Sequence, residues 1–424
     1  LTMPITEPPS NHPGREISLP FVETHVLANG LPCYHINRGT QDVVRIEFVC
    51  WGGRPFELQP LVARATAAML KEGSKNRSGK TIAEHFDYYG AGLSIPFQMD
   101  TGNLAMFSLV RQLPQVLPVF IELLCEPRFD ATDLVAYQGR KQQSLREDLG
   151  KAEVVAYRQI TECFYGPEHP YGYNSSDESF AALQPAWLKE HHQRCFHAGN
   201  GFVLISGRFD EATATYIHQQ LAQIPSREAV KPGEYIVPNQ PAKTLRLPHT
   251  AGGQTAIRVG RRLFDRTHSD AEGMYLLTQL LGGYFGSRLM ENIREDKGYT
   301  YNISAAYDTL RFDGTFQIDT EVSTAYVEPT LKEIQHELKR LREELIAEEE
   351  LQMVRNYLMG SFLTMIDGPF NWAETVRTIK AENLSLEALQ TLIHTVQTIK
   401  APALQHLAQQ YFQEADLWTV VVAP

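Results

Sequence analysis

The order of strand and helix patterns in the first half of the chain is written again in the second half. In the first half, residues 43–49 alternate polar and apolar as a half-buried strand does, and a helical stretch covers 61–71. A glycine-rich turn at 89–92 leads to alternating strands that run to about Val110. Helical stretches follow at 116–125 and 133–146, and a strand at 201–206 closes the half. The second half opens with a strand at 256–259, then a helix at 271–281 and strands at 300–305 and 314–322. Next comes a helix with Val327, Leu331, Ile334, Leu338, Leu341 and Leu345 at three- and four-residue steps. That stripe spans fewer than about four heptads, so it predicts a helix packed on its own sheet rather than a coiled-coil seam. A helix at 348–363 and a strand at 418–422 complete the second set. Between the two sets lies 225–244, which holds Pro225, Pro232, Gly233, Pro238 and Pro241 and reads as a linker. Strands then helices, twice, predict an α+β protein of two similar domains of about 200 residues, each a mainly antiparallel sheet with packed helices. The domains are expected at 1–224 and 245–424.

Composition excludes several classes. The 424 residues are 43% hydrophobic and 21% charged, enough apolar material for real cores. A net charge of −11 removes the basic footprint of a nucleic-acid binder. No window approaches about 18 uninterrupted apolar residues, so no membrane span is expected. The five cysteines (Cys33, Cys50, Cys125, Cys163, Cys195) form no Cys-x-x-Cys pair, which excludes zinc ribbons and thioredoxin-type motifs and leaves a structural disulfide open. The chain opens Leu-Thr-Met-Pro without a signal-like segment. A first residue other than Met favours a trimmed mature form, so the periplasm is the expected compartment, with the cytoplasm as the alternative.

A series of short markers then falls in a telling order. They are Leu27-Ala28-Asn29-Gly30-Leu31, Trp51-Gly52-Gly53-Arg54, Gly73-Ser74 with Arg77-Ser78-Gly79, and His169-Pro170-Tyr171-Gly172. Asn200 before a Val-rich strand and Ser287-Arg288-Leu289 through Arg294-Glu295-Asp296-Lys297-Gly298-Tyr299-Thr300-Tyr301 complete the series. In this order and spacing the chain resembles the pitrilysin/insulinase-like metallopeptidases, in particular the two-domain subunits like mitochondrial processing peptidase and its bacterial relatives. The likeness runs from about Glu23 to the end.

Active members of that family carry His-x-x-Glu-His on the helix just before the Gly-Ser/Thr marker. Imidazoles four residues apart share one helical face and hold zinc, while the glutamate takes a proton from the zinc-bound water. Counted back from Gly73-Ser74, the five places are Arg64, Ala65, Thr66, Ala67 and Ala68. Arg64 and Ala68 replace the histidines and Ala67 replaces the base. Glu147 lies near the place of the family's later glutamate ligand and reads as an ordinary charged helix residue. The resemblance therefore implies a member that has lost its zinc site, with no cofactor in this chain.

The resemblance also implies that paired members use an Arg and a Tyr, spaced Arg-x6-Tyr, at the zinc site of the opposite half. Arg294 and Tyr301 match that spacing. A guanidinium and a phenol are suitable donors to a carbonyl oxygen that gains charge under attack. Phe285, Leu289 and Ile293 fall at four-residue steps, which leaves Arg294 open as a solvated helix-end cation. Tyr301, Ile303 and Ala305 share a strand face, which leaves a core position open for Tyr301. Gly298 suits the break between that helix and strand. Gly282-Gly283-x-x-Gly286 follows no strand directly and is no nucleotide fingerprint. His191, His192, Cys195 and His197 read as an ordinary helix-to-strand passage, His169 as structural, and the charge run 340–350 as a solvated helix face.

The expected function is that of the zinc-free subunit of a heterodimeric metalloendopeptidase. It would be inactive alone, paired with a zinc-bearing homologue, and would help bind peptide without nucleic acid or membrane. The alternative is a non-catalytic structural or peptide-binding homologue, like the core subunits of respiratory complexes.

Overall fold

Each half of the chain builds one twisted sheet, and the two sheets follow the same plan. The computed structural model describes residues 17–250 and 253–424. The first sheet holds β1 (Glu23–Val26), β2 (Pro32–Asn37), β3 (Val43–Cys50), β4 (Gly92–Ser94), β5 (Gly102–Leu109) and β6 (Gly201–Gly207), in the order β1-β2-β6-β3-β5-β4. The second holds β7 (Thr244–Pro248), β8 (Thr255–Leu263), β9 (Ile303–Thr309), β10 (Gly314–Val322) and β11 (Trp418–Ala423), in the order β7-β11-β8-β10-β9. The last strand of each half slots into the middle of its sheet. β6 lies parallel to β2 and antiparallel to β3; β11 lies parallel to β7 and antiparallel to β8. All other pairings are antiparallel. The duplication read from the sequence thus reappears as one strand order used twice.

Strand alternation decides which core each residue joins. Val44, Ile46, Phe48 and Cys50 point from β3 into the core of the first half. Arg45, Glu47 and Val49 point the other way. That second face is covered by the helix Gly368–Ala381, whose Trp372, Ala373, Val376 and Ile379 share a core with Ile36, Val49, Phe202 and Leu204. The reverse exchange also occurs. The first-half helices are α1 (Val62–Met69), α2 (Gly79–Tyr88), α3 (Leu113–Cys125), α4 (Ala131–Leu149) and α5 (Ala152–Tyr165), followed by three shorter ones. Of these, α5 packs Ala156, Ile160 and Phe164 against Ala256, Trp418, Val420 and Val422 of the second sheet.

Ion pairs pin the crossing of the halves. Glu47, only 2% exposed, accepts from Arg45 at 2.8 Å, Arg377 at 3.3 Å and Asn103 at 3.0 Å, and Arg45 also pairs with Glu374. Buried charge is tolerable when its lone pairs are filled this way, and costly once a partner is lost. Asp100 does similar work nearby, accepting from the Tyr171 hydroxyl and from the Arg311 N–H at 3.0 Å.

Several local expectations shift. β9 begins at Ile303, so Tyr301 stands before the strand and not on its buried face. The helix Ala271–Thr278 continues as a π-helical turn, Gln279–Gly283, and a second π-helical segment spans Met290–Asp296. A Cβ on Gly282 would lie 2.5 Å from the Ala305 nitrogen, so this glycine marks a close packing of helix on strand. The Leu-rich helix Val327–Glu343 buries Val327, Ile334, Leu338 and Leu341 in the second half's core, but Leu345 lies beyond its end and is exposed. The charge run 340–350 crosses that helix end and is not one solvated face. Its Glu350 grips the buried Arg288 with bonds of 2.6 and 2.8 Å, and Arg342 donates to the Phe412 carbonyl at 2.5 Å. Residues 225–243 carry neither helix nor strand and lie against the first half, where Gly233 N–H meets the Pro55 carbonyl at 2.9 Å. All five cysteines are free thiols, and no helix among the described residues is long and apolar enough to cross a membrane.

Candidate functional site

The helix that should carry the zinc motif is short and strongly anchored. Leu61, just before α1, adopts a left-handed backbone (φ 68°), an uncommon conformation for a branched side chain. Its side chain is buried, and its N–H donates to the Tyr173 hydroxyl at 3.1 Å. Glu57 accepts the Ala63 N–H at 2.8 Å, filling one of the free donors at the helix start. On the inner face Ala65, Thr66 and Met69 are buried, and the Thr66 hydroxyl reaches the Leu188 carbonyl at 3.4 Å.

The opposite face of α1 borders a cavity of about 200 Å³. Arg64, Ala67, Ala68 and Lys71 line one wall, Tyr137 and Lys141 from α4 another, and Arg54 and Phe97 the rim. This is where the family motif would place zinc, and the donor set does not fit a metal. Among the described residues, the lining contains no histidine, cysteine, aspartate or glutamate. It contains four cationic side chains instead. Arg64 is exposed, its guanidinium 5.0 Å from the Phe97 ring, and Lys141 lies 5.8 Å from the Tyr137 ring. Burial, reinforced by Arg64, Arg140 and Lys71, lowers the Lys141 ammonium below its usual range. Tyr137 is buried, its hydroxyl has no hydrogen-bond partner, and burial pushes it up to about 12. Glu147 is exposed on α4, bonded to Gln143 at 3.1 Å, and does not line the cavity.

Motif counting located α1 but missed Lys71, Tyr137 and Lys141. Tyr137 and Lys141 sit four residues apart on α4, one helical face, and that spacing is the signal the sequence offered. Nothing in the sequence says which helix that face meets.

Arg294 and Tyr301 are both at the surface, but no hydrogen bond or ring contact joins them. Arg294, in the π-helical segment, stacks 4.5 Å from the exposed Phe285 ring and lies 4.0 Å from Glu295. Phe285 is in the turn ahead of that segment, while Leu289 and Ile293 are fully buried. Gly298 (φ 64°) turns the chain out of the helix. Tyr301 is 88% exposed and borders a cleft with Glu153, Arg258, Asp319 and Glu321. Burial and the nearby Glu153 raise the Glu321 carboxyl above its usual range. A core role for Tyr301 is thereby overturned.

The histidine-rich passage is structural. His191, His192 and His197 spend their Nε2 atoms on the carbonyls of Gly52, Leu124 and Arg194, each at 2.9 Å. His169 stacks on Tyr165 at 4.9 Å, and its Nδ1 accepts the Tyr171 N–H at 3.1 Å.

Fold and site together define a two-domain α+β chain whose helix Val62–Met69 carries no histidine, cysteine or carboxylate. Residues 182–358 match the family model described as "Peptidase M16 inactive domain". The chain is 19% identical over 365 residues to the "Uncharacterized zinc protease YmxG" of Bacillus subtilis, covering 84% of this chain and 86% of the relative. It is 19% identical over 366 residues to the "Non-peptidase homolog YmxG" of Helicobacter pylori, covering 85% and 84%. The fold is similar to the crystal structure of a peptidase M16 inactive domain from Pseudomonas fluorescens, with a TM-score of 0.86 at 23% identity, covering 95% of this chain and 98% of that one. Over residues 182–358 the chain matches the inactive domain of the peptidase M16 family, and along most of its length it is similar to M16-like proteins.

Proposed function

We propose that this chain is the non-zinc subunit of a two-chain zinc metalloendopeptidase. The observation that carries the reading is the cavity beside α1, where Arg54, Arg64, Lys71 and Lys141 stand and no zinc donor does. Cations repel a divalent ion, so the hydrolytic centre belongs to a homologous partner that keeps His-x-x-Glu-His. This chain closes the other side of the chamber and contributes Arg294 and Tyr301. An exposed phenol and a guanidinium held on Phe285 are free to face a partner's substrate. As negative charge grows on the scissile carbonyl oxygen, or on a neighbouring substrate carbonyl, both can donate a hydrogen bond to it. The carboxylates Glu153, Asp319 and Glu321 beside Tyr301 suit a basic side chain of an extended peptide. β4 and β9 are edge strands, and an edge of this kind can take a peptide as an added strand.

The test combines the purified chain with a zinc-bearing homologue and measures cleavage of an unstructured peptide. Neither alone should match the mixture. Arg294→Ala and Tyr301→Phe should each lower turnover by about 10²–10³, the loss of about 2.7–4 kcal/mol typical of one such donor. Sedimentation should show the complex intact. If both variants cleave at the parental rate, the assigned roles are wrong.

A further inference from the structure

The hairpin at the outer edge of the first sheet carries a group of metal-type side chains that lies outside the α1 cavity. On β2, Cys33 and His35 are two residues apart and so share one face of the strand. The helix Glu211–Leu221 lays His218 over them. His35 Nε2 is 2.8 Å from His218 Nε2, and Cys33 Sγ is 3.9 Å from the same nitrogen. The three potential ligand atoms all lie within 4.8 Å of one another. Cys33 is fully buried, His35 is 4% exposed, and His218 is half-buried at the mouth. A further imidazole, His25 on β1, lies with its ring 4.4 Å from the His35 ring, tilted by 44°.

The contrast with the passage around His191 decides the reading. There every Nε2 is spent on a backbone carbonyl. Here, as with Cys195 beside His191 Nδ1, a thiol lies 3.9 Å from a ring nitrogen, but a second imidazole also meets that nitrogen at 2.8 Å, so three metal-type donors converge. We propose that Cys33, His35 and His218 form a binding site for a divalent transition ion, zinc being the natural fit. One thiolate and two imidazoles are borderline-to-soft donors of the kind zinc selects over magnesium or calcium. A tetrahedral zinc ion with bonds of about 2.0–2.1 Å to nitrogen and 2.3 Å to sulfur spaces its ligands roughly 3.3–3.6 Å apart. The separations of 2.8 and 3.9 Å fall either side of that spacing.

The surroundings fit as well. Glu23 lies 3.9 Å from His35 Nδ1 and 3.1 Å from His25 Nε2. A carboxylate behind a ligating imidazole fixes its tautomer and orientation. The fourth position goes to water. On binding, the Cys33 thiol gives its proton to solvent and becomes the thiolate ligand. The ion would tie the β1–β2 hairpin to the helix Glu211–Leu221, and its site stands apart from the pocket and residues assigned to peptide hydrolysis.

The test uses the full chain, reduced and stripped with a chelator, and titrates it with Co²⁺ and then Zn²⁺. One equivalent of Co²⁺ should give intense visible bands of a four-coordinate ion and a thiolate-to-cobalt charge-transfer band, and Zn²⁺ should displace it. Cys33→Ser should remove the charge-transfer band. His218→Ala, at the half-buried mouth, should weaken binding at least about tenfold with circular dichroism unchanged. His394→Ala, exposed on another helix, should change nothing. No charge-transfer band in the parental chain, or a band that survives Cys33→Ser, overturns the inference. Should the Cys33 variant misfold, undiminished affinity in His218→Ala overturns it equally. Metal retained by both variants and located by diffraction beside 64–68 would instead sink the reading of α1, so the two failures are distinct.

Discussion

Glu57 accepts hydrogen bonds from the Ala63 N–H and the Tyr173 hydroxyl, each at 2.8 Å, yet burial pushes its carboxyl up to about 7. The bonds and the neighbouring Arg54 pull the other way without winning. In the unfolded chain the same group loses its proton near 4.5. Between those values the folded chain holds the extra proton, so unfolding free energy from this site falls as pH rises. Glu57→Gln cannot titrate. Relative to the parental chain, that variant should gain about 1–3 kcal/mol between pH 5 and pH 8, read from urea midpoints at the two values. A constant difference would show that the carboxyl titrates normally. At this scale the sequence was legible where a motif fixes positions: Arg64, Ala67 and Ala68 follow by counting from Gly73-Ser74. It was illegible where partners come from afar. Cys33 and His35 meet His218 across more than 180 residues, and only the β2–β6 pairing and the helix after β6 bring them together. Cys33-Tyr34-His35 on one strand face was the local hint.

Strands and amphipathic helices that pack on their own sheet were readable because one period governs each. β10 falls on 314–322 as alternation predicts, and the Leu-rich helix lies where its stripe puts it, short of Leu345. The two exchanged helices were not readable. In α5, Val154, Val155, Ala156, Ile160, Phe164 and Tyr165 give no single clean stripe, because the helix lies between its own half and the opposite sheet. Its inward residues answer to Ala256 on β8 and to Trp418, Val420 and Val422 on β11, far along the chain. Phe164, 4% exposed against the second sheet, tests the importance of that contact. Phe164→Ala should cost about 3–5 kcal/mol, through lost burial and the cavity left behind. Chemical unfolding followed by near-ultraviolet dichroism would measure it. A cost below about 1 kcal/mol would mean that α5 merely rests on the sheet.

For the whole molecule, the exchange of helices makes the two halves one cooperative unit despite their duplicated sheets. The first sheet exposes Ile36, Val49, Phe202 and Leu204 if the helix Gly368–Ala381 is removed, and Glu47 loses Arg377. The second sheet exposes Ala256, Trp418, Val420 and Val422 if α5 is removed. Each half therefore needs the other for part of its core and part of its charge pairing. Breaking such pairing leaves a buried carboxylate short of a partner, which is more costly than never having built it. Chains of 17–224 and 244–424 expressed separately should be aggregated or molten, with weak near-ultraviolet signals, whereas co-expression should recover a soluble complex. The intact chain should unfold in one transition, with fluorescence and circular dichroism coincident. Two separated transitions, or a sharp native spectrum from either half alone, would show that the linker at 225–243 joins independent domains. In that case the chamber wall proposed for the peptidase partner would be hinged.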